Sequence, residues 1–263
     1  MNVIEINSPT DARLAPFRAL KATNDTRWTG RFIAEGDKLV RRLLASDFGL
    51  HSLLVSRRYL HDFSQLKRQD AELLVIPDDW VEELVGFNFH RGILACAHRK
   101  PPRDPVELCQ AAREKLSLVI CPDVQDPENL GTIVRTASAL GVDAVILGSG
   151  CCDPFSRRVL RVSMGAAFQI PIVACQDLDA TLTTICQQAN VELWAAVADP
   201  AATPIGQQAR PTRLGLLLGS EAHGLAPHWL AHCRHRVTIP MRPGFDSLNV
   251  AVASGILIYL LTR

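Results

Sequence analysis

Apolar residues in the second half of the chain fall in short unbroken runs separated by segments of helical period. The runs Leu116–Cys121, Asp143–Leu147, Ile170–Ala174, Leu193–Val197, Leu214–Leu218 and Arg236–Ile239 show almost no apolar–polar alternation. That pattern predicts strands covered on both faces, and therefore a parallel sheet. Between the first two runs, Leu130, Ile133, Val134, Ala137 and Leu140 make one apolar stripe closed by Gly141, as in an amphipathic helix ended by glycine. Val250–Leu261 is apolar nearly all round and is expected as a buried or interface helix. The first hundred residues hold shorter elements. Strands are predicted at Arg31–Ala34, Ser52–Val55, Leu73–Ile76 and Gly92–Cys96, and a helix around Leu39, Val40, Leu43 and Leu44. Asp78-Asp79 is placed to cap a second helix carrying Trp80, Val81 and Leu84. From His98 to Pro105, three prolines stand among charged residues, which suits neither a helix nor a central strand. The reading is an α/β chain: a smaller N-terminal α/β domain over residues 1–100, a linker over 101–105, and a parallel-sheet domain over 106–263.

Composition narrows the class. With 48% hydrophobic residues the chain can bury a sizeable core. No apolar run reaches the ~18 residues of a membrane span, and residues 1–10 lack the basic and apolar segments of a secretory signal, so a cytoplasmic protein is expected. None of the eight cysteines forms a Cys-x-x-Cys pair. They read as buried thiols rather than a disulfide framework or zinc site. The net charge is +1, which rules out a broadly basic nucleic-acid binder and leaves only local patches. The candidates are Arg57-Arg58, Lys67-Arg68, His98-Arg99-Lys100 with Arg103, and Arg157, Arg158 and Arg161; each alone is more simply a solvated face. His228 and His232 have the i, i+4 spacing of metal ligands on a helix, but no acidic residue adjoins them in sequence, and no metal is expected.

Candidate chemistry collects at three strand ends, where an open α/β sheet binds its ligands. The first is Asp126-Pro127-Glu128-Asn129-Leu130-Gly131, continuing to Arg135. The second is Leu217-Leu218-Gly219-Ser220-Glu221-Ala222-His223-Gly224-Leu225. The third runs from Ile239-Pro240-Met241 to Ser247-Leu248-Asn249. Each has a plain structural reading: Asn129, Ser247 or Asn249 as helix caps, Arg135 as a surface cation, Glu221 as a capping acid. Against it, a carboxylate at the end of a buried strand needs a partner or a purpose, and the Pro240 and Pro243-Gly244 turns shape a loop that offers main-chain groups to a flat heterocycle. No dinucleotide fingerprint, phosphate loop or nucleophile elbow is present.

In order and spacing, these motifs resemble the signature of the SpoU/TrmH family of RNA ribose methyltransferases, in the SPOUT superfamily, over roughly Ser117 to Tyr259. Gly30-Arg31-Phe32, Glu35-Gly36 and His90-Arg91-Gly92-Ile93 resemble that family's N-terminal, L30e-like substrate-binding domain. The resemblance implies a C-terminal SPOUT domain with a deep trefoil knot, S-adenosylmethionine (AdoMet) as methyl donor, a ribose 2′-hydroxyl of RNA as acceptor, and a homodimer. It puts Leu218, Gly219, Ile239, Met241 and Leu248 at the cofactor, and Asn129, Arg135, Glu221, Ser247 and Asn249 in the polar active-site set. Ribosomal RNA ranks ahead of transfer RNA as substrate; a non-catalytic RNA-binding or ribosome-assembly factor is the alternative of another class. Arg135 has two roles open: accepting the proton with help from an RNA phosphate, or remaining cationic beside the developing alkoxide. The family often has Gly two residues after the Met of the third motif; here Arg242-Pro243 intervene before Gly244.

Overall fold

A computed structural model describes residues 2–20, 29–63, 71–86, 92–112, 114–220 and 223–262. Glu221, His90, Arg91, Lys67 and Arg68 lie outside them. The chain divides into two compact units, one of Met1–Lys100 with Phe155–Phe168, the other of Pro101–Pro154 with Gln169–Arg263. None of its described helices is long and apolar enough to cross a membrane.

The first unit contains β1 (Asn2–Glu5), β2 (Arg31–Glu35), α1 (Asp37–Leu44), β3 (Leu50–Ser56), α2 (Leu60–Phe63), β4 (Glu72–Ile76), α3 (Val81–Val85) and β5 (Ile93–His98). Its sheet runs in the order β1-β4-β3-β5-β2, parallel across β1, β4 and β3 and antiparallel where β5 meets β3 and β2. The sequence pattern does not predict β1, because its two apolar residues, Val3 and Ile4, are adjacent and lie on an edge strand between polar neighbours. The expected Asp78-Asp79 cap is also absent: α3 has no side-chain cap, and the Asp78 carboxylate instead accepts the Arg58 amide at 3.4 Å.

Residues 155–168 join this unit through aromatic packing. The Phe32 ring lies 5.4 Å from Phe48, 5.1 Å from Phe155 and 5.7 Å from Phe168, within the range of favourable ring pairs. Between Phe155 and Phe168, the helix over Arg157–Val162 buries Val159 and Leu160. Arg157 pairs with Glu35 at 2.9 Å and donates to the Leu20 carbonyl at 2.7 Å. Other cations of the proposed patches are likewise engaged inside the unit: Arg57 with Glu5, Lys100 with Asp47, and Arg99 with the Arg31 carbonyl.

The second unit contains α4 (Pro105–Ala111), β6 (Leu116–Cys121), α5 (Pro127–Ala139), β7 (Ala144–Leu147), then, after the excursion carrying α6 (Arg157–Val162), β8 (Ile172–Ala174), α7 (Leu178–Ala189), β9 (Glu192–Ala196), β10 (Thr203–Pro204), β11 (Arg213–Leu217), α8 (Pro227–Ala231), β12 (His235–Thr238) and α9 (Val250–Leu261). The sheet order is β10-β12-β9-β11-β6-β7-β8, and every pair is parallel. β8 starts two residues later than the apolar run because Pro171 has no N–H to give the ladder; its carbonyl accepts from Val145 instead. Cys109 of α4 and Leu178, Leu182 and Ile185 of α7 pack against Leu118, Ile120, Ile146 and Leu193. α9 is not buried all round. Ala251, Ser254, Leu257, Ile258 and Leu261 face inward, while Val252, Ile256, Tyr259 and Leu260 are exposed.

The cysteines are free. Burial pushes the thiols of Cys96, Cys152 and Cys233 up to about 12. A thiol that holds its proton longer in the fold than in the open chain stabilises the fold below the ordinary value of 9.0 and loses that contribution as pH rises toward 12. Urea midpoints between pH 8 and 10.5 should therefore fall with pH. Cys96→Ala should flatten the fall by about 1–2 kcal/mol over that range, at ~1.4 kcal/mol per pH unit for one group. Identical slopes would refute the assignment.

Candidate active site

All strands of the second unit run the same way, so the residues after β6, β9, β11 and β12 emerge on one edge. After β6, the chain turns through Pro122–Gln125 and enters α5. The Asp126 carboxylate accepts the Glu128 amide at 2.9 Å, and Pro127 occupies the first turn, where its missing N–H costs nothing. This loop is held in place by the one after β7. The Cys151 thiol donates to the Cys121 carbonyl at 2.9 Å and accepts from the Val124 amide at 3.3 Å. Asn129, 8% exposed, sits in the first turn of α5. Arg135 lies six residues on, ~9 Å along the axis. It is exposed, and among the described residues no hydrogen bond or ion pair holds its guanidinium.

After β11, Leu218 donates to the Ile120 carbonyl at 2.9 Å and the chain turns back at once. Ser220 and Gly224 exchange backbone hydrogen bonds of 3.1 and 3.0 Å. Only glycine fits at 219: a Cβ there would collide with the Gly224 carbonyl carbon and stand 2.5 Å from the Leu225 nitrogen.

After β12, the chain passes Ile239 and Met241, makes a turn at Gly244 with φ +92°, and reaches Asn249, which does two jobs. Its Oδ1 caps α9 by accepting from Ala251 and Val252 at 2.9 and 3.2 Å. Its Nδ2 donates to Asn129 Oδ1 at 2.9 Å. The plain capping role and the site role are thus combined in one side chain, and the first and third motifs are joined by a direct bond.

The ends of β9, β11 and β12, with the start of α9, enclose a cavity of about 530 Å³, within the usual range for small-molecule sites. Leu218, Gly219, Ile239, Met241 and Leu248 all line it, as do Ser247 and Asn249. Neither Asn129 nor Arg135 lines it, but Asn129 is bonded to Asn249, which does. Sequence reasoning missed residues 196–199, at and beyond the end of β9, as well as Thr238, Ala253 and Leu257. The end of the Leu193–Val197 run was the available signal for the first group, since it too is a strand end on the same edge. The cavity suits the AdoMet that the resemblance implies. Val197, Leu218, Ile239, Leu248 and Leu257 form apolar walls for a flat heterocycle, and the slot closed by Gly219 brings bare backbone to its surface. Elsewhere on this unit, His232 Nε2 lies 2.9 Å from Asp179 Oδ1 and His228 stacks on Trp229. Among the described residues no group of three or more His, Cys, Asp or Glu is placed to hold a metal.

Residues 117–259 match the model of the SpoU rRNA Methylase family. Over its whole length the chain is 36% identical to an uncharacterised tRNA/rRNA methyltransferase of Mycobacterium bovis, of which it covers 93%. It is 27% identical to a 23S rRNA guanosine 2′-O-methyltransferase of Bacillus subtilis, over 97% of this chain and 98% of that one. Among solved structures, an AdoMet-bound rRNA methyltransferase from Sinorhizobium meliloti aligns with a TM-score of 0.83 at 26% identity, covering 98% of this chain and 97% of that one.

Gly219→Ala should distort the Ser220–Gly224 turn and weaken AdoMet binding by at least about tenfold, equivalent to ~1.4 kcal/mol, with the far-ultraviolet spectrum retained. Unchanged affinity by titration calorimetry would show that the turn does not shape the cofactor site.

Proposed function

The chain belongs to the SpoU rRNA methylase family, and on that premise we propose that it transfers a methyl group from AdoMet to a ribose 2′-hydroxyl of structured RNA, with ribosomal RNA ahead of transfer RNA as the substrate. The observation that carries this reading is the Asn249–Asn129 hydrogen bond. It ties the polar end of α5 to the rim of a cavity built by the other two motifs, so that a cofactor pocket and an acceptor surface adjoin.

When bound, AdoMet supplies an electrophilic sulfonium methyl. Leu218, Gly219, Ile239, Met241 and Leu248, which line the cavity, would hold its apolar and heterocyclic parts, largely through main-chain groups. What remains is to place a weak nucleophile in line with that methyl, which is a problem of orientation. Asn249, fixed by the α9 amides and by Asn129, positions the acceptor side, and Ser247 completes the rim. Arg135 remains charged, because a guanidinium does not give up its proton in a protein. It attracts the RNA phosphate and stabilises the negative charge that develops on the ribose oxygen. The hydroxyl proton would leave to a phosphate oxygen or to water. The reading includes Glu221 as a polar partner in the same set. It also includes a cytoplasmic location and a trefoil knot.

The reading also includes a homodimer. Its support is the exposed apolar face of α9, where Val252 is 54% and Leu260 47% exposed; a continuous face of this kind is uncommon on a monomer.

Radiolabelled AdoMet, purified protein and unmodified ribosomal or transfer RNA transcripts test the main claim. Label should enter ribosomal RNA as an alkali-resistant 2′-O-methyl group, and label on a base, or none, would overturn it. Arg135→Ala should lower kcat by roughly 10²–10³ with AdoMet affinity unchanged; lost affinity with intact kcat would contradict its role. Ile256→Glu should halve the mass in light scattering, and an unchanged mass would remove α9 from the interface.

A further inference from the structure

Met241 and Ser247 both stand on the cavity wall, and the five residues between them leave that wall and return to it. Phe245 is one of the five. It is 68% exposed, more than any other large apolar side chain among the described residues. Two residues of chain reach at most about 7 Å, so its backbone lies close to the rim at Ser247. The turn that carries it is firmly shaped. Pro243 fixes one backbone angle, and Gly244 takes φ +92°, which other residues rarely adopt. This is also the stretch where the third motif departs from the usual family pattern. A single exposed apolar residue needs no explanation on an ordinary surface. Here it stands beside the rim of the cavity, the edge to which the proposed function must bring a ribose.

The chemistry of the acceptor supplies the occupant. A nucleobase is attached to the ribose carbon next to the one bearing the reacting hydroxyl, so it must lie at the mouth of the cavity. A base drawn out of its helix loses its stacking partners, and proteins that bind unstacked bases replace them with aromatic faces. We propose that Phe245 stacks on the base of the nucleotide whose ribose is methylated, and that this contact selects a nucleotide free of the helical stack. The inference rests on the RNA reading above and adds a specificity-determining residue to it.

The test uses the full-length protein and an RNA oligonucleotide spanning the mapped methylation site. Phe245→Ala should raise KM for RNA, and Kd for RNA without AdoMet, by roughly five- to 100-fold, the range for loss of one base–aromatic stack. Phe245→Trp should restore both and Phe245→Leu should not. AdoMet affinity and the mass in solution should be unchanged. An oligonucleotide abasic at the target should be bound equally by wild type and Phe245→Ala. The proposal falls if Phe245→Ala binds RNA normally, if the abasic RNA preserves the difference, or if the mass drops, which would assign Phe245 to a second copy of the chain. Wild-type protein that methylates no RNA would sink the functional reading itself, and this inference with it.

Discussion

Parallel pairing of all seven strands is the constraint on which the second unit depends. Parallel neighbours cannot be joined by tight turns, so each strand is followed by a crossover, and every carboxyl end emerges on the same edge. Three of those ends, after β9, β11 and β12, meet around one cavity, and the end after β6 adjoins it through the Asn129–Asn249 bond. The sheet leaves no choice about where the site lies. What the loops decide is its shape, and they do so with few devices: a proline entering α5, a glycine where no Cβ fits, and a thiol holding one loop to the next.

Asn249 shows how economically those devices are used. A helix cap is needed wherever α9 begins, because its first amides have no partners of their own. Using an asparagine leaves an amide nitrogen over, and that nitrogen fixes the Oδ1 of Asn129. The requirement of the helix and the requirement of the site are met by one side chain, so they cannot be mutated independently. Arg135 is different. Among the described residues no side chain holds its guanidinium, and it is exposed.

The sheet and most of the site were legible in the sequence because both rest on local pattern. Unbroken apolar runs marked the buried strands, and glycine, proline and polar residues at their ends marked the loops. What was not legible depends on distant partners. The Ala196–Asp199 wall has no polar residue before Asp199 to draw attention to it. The edge strand β1 lacks a long apolar run. The solvated exterior expected of Arg157 gave way to Glu35, more than a hundred residues earlier, because a guanidinium beside an aromatic cluster is better paired than hydrated. The exposed side of α9 was apolar in sequence, and composition alone could not say which of its faces was covered.

The aromatic cluster of the first unit has a consequence for how the chain can assemble. Phe32 and Phe48 come from its beginning, but Phe155 and Phe168 arrive only after two strands of the other unit's sequence, β6 and β7, have been made. During synthesis the early phenylalanines therefore wait, uncovered, for a segment more than a hundred residues downstream, and the ring closed by that contact is long and slow to form. The two units cannot mature strictly one after the other. A fragment ending at Lys100 would carry its strands but only half of this cluster, and it would present that half to whatever apolar surface it met first.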